Sequence, residues 1–74
     1  MLLCDGNVNS TYYVKSLHLS EKLAKRLEAL GITQGTPVSI MNKKGQGILI
    51  VKFRGSRFAL GKNISRNIEV STDR

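Results

Sequence analysis

One cysteine, one histidine and one proline are all that the chain holds of those residue types, and it has only five acidic side chains. A lone cysteine, Cys4, allows no internal disulfide framework and favours a reducing compartment. With His18 as the single imidazole, the chain lacks the set of soft or imidazole ligands that a tetrahedral structural metal site needs, and Asp5 and Glu21 show no convergence with it. His18 reads as an exposed or cap-region residue, and neither a metal ligand set nor a cofactor is expected. The carboxylates are too few and scattered to draw a Ser-His-Asp set. Gly45-Gln46-Gly47 is not followed by the glycine, lysine and helix start of a phosphate-binding loop. An enzyme is the function class these residues favour least.

No apolar run approaches the roughly 20 residues of a membrane-spanning helix. Met1-Leu2-Leu3-Cys4 gives way to Asp5, Gly6 and Asn7 where a secretory signal needs an apolar stretch. A soluble, cytoplasmic chain is therefore expected. Its 74 residues fit a single domain, 1–74. A domain of this size buries only roughly 60% of the surface its unfolded chain exposes, so modest stability follows, and covering the sheet edges is valuable.

What is plentiful is positive charge. Twelve Lys and Arg against five Asp and Glu give a net charge of +7, a bias toward acidic or polyanionic partners. The basic residues are dispersed, with Lys25-Arg26 and Lys43-Lys44 the only adjacent pairs. Aromatic side chains for base stacking are sparse: Tyr12, Tyr13, Phe53 and Phe58. That sparseness disfavours nucleic acid, although small basic barrels do bind it.

Residues 1–11 offer turns rather than a packed element, with Gly6, Asn7, Asn9 and Ser10 among them, and the segment is expected to be the least ordered. Tyr12, Tyr13 and Val14 predict a strand near 11–16. The spacing predicts a helix over 20–30, capped by Ser20 and carrying Leu19, Leu23, Leu27 and Leu30 as one apolar stripe. Gly31 ends it in the left-handed conformation, with Ile32 folding back toward Leu27.

The period then switches to two. Pro37 opens a strand in which Val38 and Ile40 share a face, and Asn42–Gly47 reads as a hairpin loop. In the strand 48–54, Lys52 and Arg54 require water, which sends Leu49, Val51 and Phe53 to the core and Ile48 and Ile50 to the outer face. Those two isoleucines are either covered within the chain or form an adhesive surface. Gly55-Ser56 reverses the chain into a strand bearing Phe58 and Leu60; a helical turn near 62–66 and a last strand with Ile68 and Val70 follow. Short strands, tight turns and one helix describe a small closed barrel, in which curling removes the sheet edges.

Two blocks carry a family resemblance: the helix end Arg26-Leu27-Glu28-Ala29-Leu30-Gly31-Ile32 running into Thr33-Gln34-Gly35-Thr36-Pro37-Val38, and Phe53-Arg54-Gly55 followed by Arg57-Phe58-Ala59-Leu60. With Ile64 to Val70, they make residues 19–70 resemble the FeoA domain, the ferrous iron transport protein A family. The chain departs from the family pattern in three places. Residues 1–13 show no leucine-containing strand with a Pro-Gly turn, Gly61 replaces a common basic residue, and Ile50 stands where a polar residue is usual.

The resemblance implies a mostly β, SH3-like barrel with one α-helix and an accessory role in bacterial ferrous iron uptake. The implied partner is a large ferrous iron membrane transporter with a cytosolic GTP-binding region. The same domain is fused to metal-dependent repressors, but no helix-turn-helix precedes it here. Candidate partner-binding residues are Leu30, Gly31 and Ile32 at the helix-to-strand corner and Ile48, Ile50 and Lys52 on the outer sheet face. Core packing is the competing role for the corner. A nucleic-acid-binding barrel and a homo-oligomer formed through an open sheet edge are the alternatives.

Overall fold

Five antiparallel strands, β1 (Thr11–Leu17), β2 (Pro37–Lys44), β3 (Ile48–Phe53), β4 (Ser56–Leu60) and β5 (Ile68–Ser71), make one sheet in the order β4-β3-β2-β1-β5. The computed structural model describes residues 1–73. Helix α1 (Glu21–Leu30) lies between β1 and β2, and a single turn, α2 (Lys62–Ser65), between β4 and β5.

Alternation places one face of every strand inside. Tyr12 and Val14 of β1, Val38 and Ile40 of β2, Leu49, Val51 and Phe53 of β3, Leu60 of β4, and Ile68 and Val70 of β5 form one buried cluster. The predicted orientation of β3 is the observed one. Tyr12 and Val14, rather than Tyr13, take the core side of β1. Phe58 is half-buried and stacks on Phe53 with ring centroids 4.6 Å apart.

The sheet curls but its ladder does not close: β4 and β5 are its terminal strands. The expectation that curling removes both edges is corrected on this point. The β5 edge is covered instead by the start of the chain. Val70 N–H donates to Met1 O at 2.8 Å, the Met1 ammonium donates to Val70 O at 3.2 Å, and Leu2 bridges Glu69.

Residues 1–11 therefore do more than turn. Leu3, in a 3₁₀ turn over Leu3–Asp5, is 1% exposed within the core, and Asn7 N–H donates to the Tyr12 hydroxyl at 2.8 Å. Gly6 sits so close to the core that a Cβ there would be 2.6 Å from Ile40 Cδ1 and 2.7 Å from Tyr12 Cε2. A single buried leucine leaves no periodicity to detect.

α1 begins and ends as its sequence dictates. Leu23 N–H donates to Ser20 Oγ at 3.3 Å. At the other end Gly31 has φ 108°, its N–H donates to Glu28 O at 3.0 Å, and Ile32 N–H donates to Leu27 O at 2.9 Å, the paired bonds of a Schellman motif. The leucine stripe is only partly used. Leu27 is buried, Leu19 and Leu23 are half-buried, and Leu30 is 46% exposed. A short helix laid on so small a sheet touches it through one region, and its last turn overhangs.

The expected loop Asn42–Gly47 is shorter than its polarity suggests. β2 runs on to Lys44, past a register shift between Ile40 and Asn42, and the turn occupies only 45–47. Polar residues pair readily at the exposed end of a two-stranded ribbon, because neither face there needs a core.

Candidate interaction surface

The outer face of β2, β3 and β4 is built by the alternate residues of those strands. Lys44 lies opposite Ile48, Asn42 opposite Ile50, and Ser39 opposite Lys52. On the other side Ala59 lies opposite Ile50, and Arg57 opposite Lys52. The result is an apolar centre, Ile48 and Ile50, between Lys44 at one end and the Lys52–Arg57 pair at the other. Ile48 is 40% exposed, Ile50 half-buried and Lys52 exposed. Small Ala59 leaves Ile50 partly open, so this face is not fully covered from within the chain.

Its charge is one-sided. No Asp or Glu occurs between Glu28 and Glu69, an interval that holds Lys43, Lys44, Lys52, Arg54, Arg57, Lys62 and Arg66. Counting adjacent basic pairs hides this segregation; the position of the carboxylates reveals it. Arg57, absent from the sequence-derived set, is the residue that this signal adds. It stands directly across from Lys52, and like charges so placed destabilise a sheet. The ion pair among the described residues is elsewhere, between Lys25 and Glu21 on the exposed face of α1 at 3.2 Å. Beside Ile48 lies a groove of about 350 Å³ whose charged lining residues are Lys43, Lys44, Lys62 and Asp5.

The helix-to-strand corner does not present its predicted residues as a set. Ile32 is 1% exposed and belongs to the core, and Gly31 is buried. Only Leu30 of the three reaches solvent. The separating signal is the turn at Gly31: it folds Ile32 back toward Leu27, whereas nothing in the sequence shows that Leu30 overhangs. Thr36 stitches the corner from behind: its hydroxyl donates to Gly31 O at 3.2 Å and accepts from Thr33 N–H at 3.0 Å. Of the six candidates, Leu30, Ile48, Ile50 and Lys52 thus have surface exposure, while Ile32 and Gly31 are buried.

His18 is exposed, with Nε2 3.0 Å from Ser16 Oγ. Among the described residues, no three His, Cys, Asp or Glu side chains gather as metal ligands. No helix among them is long and apolar enough to cross a membrane.

An open, five-stranded antiparallel sheet curled about one core, with a single turn between its last two strands, defines a small SH3-like module. The FeoA domain profile matches residues 1–72, and the chain belongs to the FeoA domain family. That match takes in the first residues, where the family pattern is hard to see in the sequence. The fold superimposes on the FeoA protein of Chlorobium tepidum with TM-score 0.90 at 20% identity, over 100% of this chain and 71% of that one. The FeoA of Stenotrophomonas maltophilia, a zinc complex, matches at 28% identity and TM-score 0.78, over 96% of this chain and 89% of that one. It is described as a prokaryotic SH3 domain protein and a candidate ferrous iron transport activating factor. A manganese-dependent transcriptional repressor shares the fold at TM-score 0.85 and 15% identity, over 96% of this chain and 40% of its own length. Among curated proteins no sequence match is found.

Proposed function

We propose that this chain is a cytoplasmic accessory protein of bacterial ferrous iron transport that acts by contact, without chemistry of its own. Its partner in this reading is the cytosolic, GTP-binding region of a large ferrous iron membrane transporter. Membership of the FeoA family supports the transport role. One observation carries the mode of action: an outer sheet face with Ile48 and Ile50 at its centre and mostly basic charge around it, Asp5 being the one carboxylate lining the groove beside Ile48. Such a face suits an acidic partner, with the charges speeding encounter and the apolar centre setting the lifetime of the complex.

The basic face serves nucleic acid less well. Phe53 and Tyr12 are buried, and Phe58 and Tyr13 are half-buried with Phe58 stacked on Phe53, which leaves little aromatic face for a base.

The test is calorimetric titration of the protein into the purified cytosolic region of its host's transporter, at moderate salt so that loose charge attraction is screened. Saturable heat with a defined ratio is expected, and Ile50→Asp is expected to weaken it at least tenfold with the folded circular dichroism signal intact. Absence of heat for the parent protein would remove this reading.

A further inference from the structure

The two ends of the sheet differ. β5 is capped by Met1 and Leu2, whereas among the described residues β4 pairs with β3 alone. The loop joining β3 to β4 is the two-residue Arg54-Gly55, with φ of 52° and 78°, the signature of a type I′ hairpin. In that geometry the flanking residues Phe53 and Ser56 exchange backbone hydrogen bonds. Alternation along β4 then turns the N–H and C=O of Arg57 and Ala59 away from β3, toward the open edge. The side chains of these same two residues lie on the outer face, opposite Lys52 and Ile50.

We propose that β4 accepts an extended segment of another protein as an added strand, and that this segment bears carboxylates at alternate positions. The proposal rests on the accessory-protein reading and deepens it by stating how the face is engaged. Main-chain bonds to Arg57 and Ala59 supply the register, which sets one row of the incoming strand's side chains, the carboxylates, on the outer face beside Arg57. A carboxylate next to Arg57 relieves its apposition to Lys52, which no acid within residues 29–68 can do. A second copy is the poorer occupant. Pairing β4 with β4 brings only further arginine to an edge already charged, the device by which edge strands resist self-pairing.

The probe is a synthetic eight-residue peptide of alternating Asp and Val, capped at both ends. Controls are the same peptide with every second backbone amide N-methylated, and a Lys-Val counterpart. Titration into the isotope-labelled full chain is expected to give saturable shifts centred on β4 and slowed amide exchange at Arg57 and Ala59. N-methylation is expected to weaken binding at least tenfold, as is Arg57→Glu, and the Lys-Val peptide is expected not to bind. Equal binding of the N-methylated peptide would reduce the contact to charge alone and overturn the proposal. So would failure of the Asp-Val peptide to bind, or self-association through β4 seen by sedimentation. The two readings separate cleanly. If the transporter region binds wild type and Arg57→Glu alike, strand addition falls and the accessory role stands. If the peptide binds and the transporter region does not, only the accessory role falls.

Discussion

Arg54 lies across Gly31: a methyl group built on that glycine would stand 3.0 Å from Arg54 Nε and 3.1 Å from its Cδ. The end of α1 and the β3–β4 turn are far apart in sequence, yet they meet here, each with a backbone in the positive-φ region, 108° and 52°. Gly31 thus has a conformation that disfavours a side chain and a neighbour, exposed Arg54, that must shift slightly to admit one. Gly31→Ala is expected to cost about 1–2 kcal/mol, the usual penalty of left-handed backbone for an L-residue, and Gly31→Val more. Urea denaturation measures both. In an Arg54→Ala background the cost of Gly31→Ala should fall but not vanish, because the crowding is relieved and the backbone strain is not.

Leu27 is the only residue of α1 that is fully buried. Leu27→Ala is expected to lose about 2–4 kcal/mol, a large share of the stability of so small a domain. Leu30→Ala, at the overhanging end, should change stability by less than about 0.5 kcal/mol. Equal losses from the two variants would mean that the helix packs along its whole stripe.

Ser65 is wholly buried, and among the described residues its Oγ has no hydrogen-bond partner. Burying an unpaired hydroxyl is unfavourable. Ser65→Ala is expected to raise stability by about 1 kcal/mol, read as a higher denaturation midpoint with an unchanged slope. A lowered midpoint would refute the assignment.

Burial raises the Cys4 thiol above its ordinary pKa, Asp5 adds to the effect, and Lys43 opposes it. Since the folded state holds the thiol proton more tightly, Cys4 contributes stability below the unfolded thiol's pKa. That contribution is lost as pH rises through the higher folded value. The midpoint of iodoacetamide alkylation against pH should lie higher for the folded chain than for the chain in urea. Cys4→Ser should flatten the alkaline fall in stability.

Much of this architecture is legible in the chain because period and punctuation agree. Ser20 and Gly31 bracket α1, and Lys52 fixes which face of β3 is wet, which in turn places Leu49, Val51 and Phe53 inside. What escapes is whatever depends on partners distant in sequence. Leu3 belongs to no pattern, so its burial beneath β5 is invisible until the ends of the chain meet. The turn at Gly31 sends Ile32 back to the core, whereas nothing in the sequence shows that Leu30 overhangs. The candidate surface divides likewise. Ile48, Ile50 and Lys52 follow from alternation, whereas Arg57 emerges only when the register sets it opposite Lys52.

The order β4-β3-β2-β1-β5 also governs how the molecule is made. β2, β3 and β4 are joined by tight turns and pair in sequence, so they can associate as soon as they emerge during synthesis. β1 must wait: one flank meets β2 early, but the other is completed by β5, whose last residue is Ser71. Until then Val14 and Leu3 lack the cover of Ile68 and Val70. Until β5 emerges the nascent domain holds an apolar, half-paired strand, and that interval is when it is most exposed to aggregation.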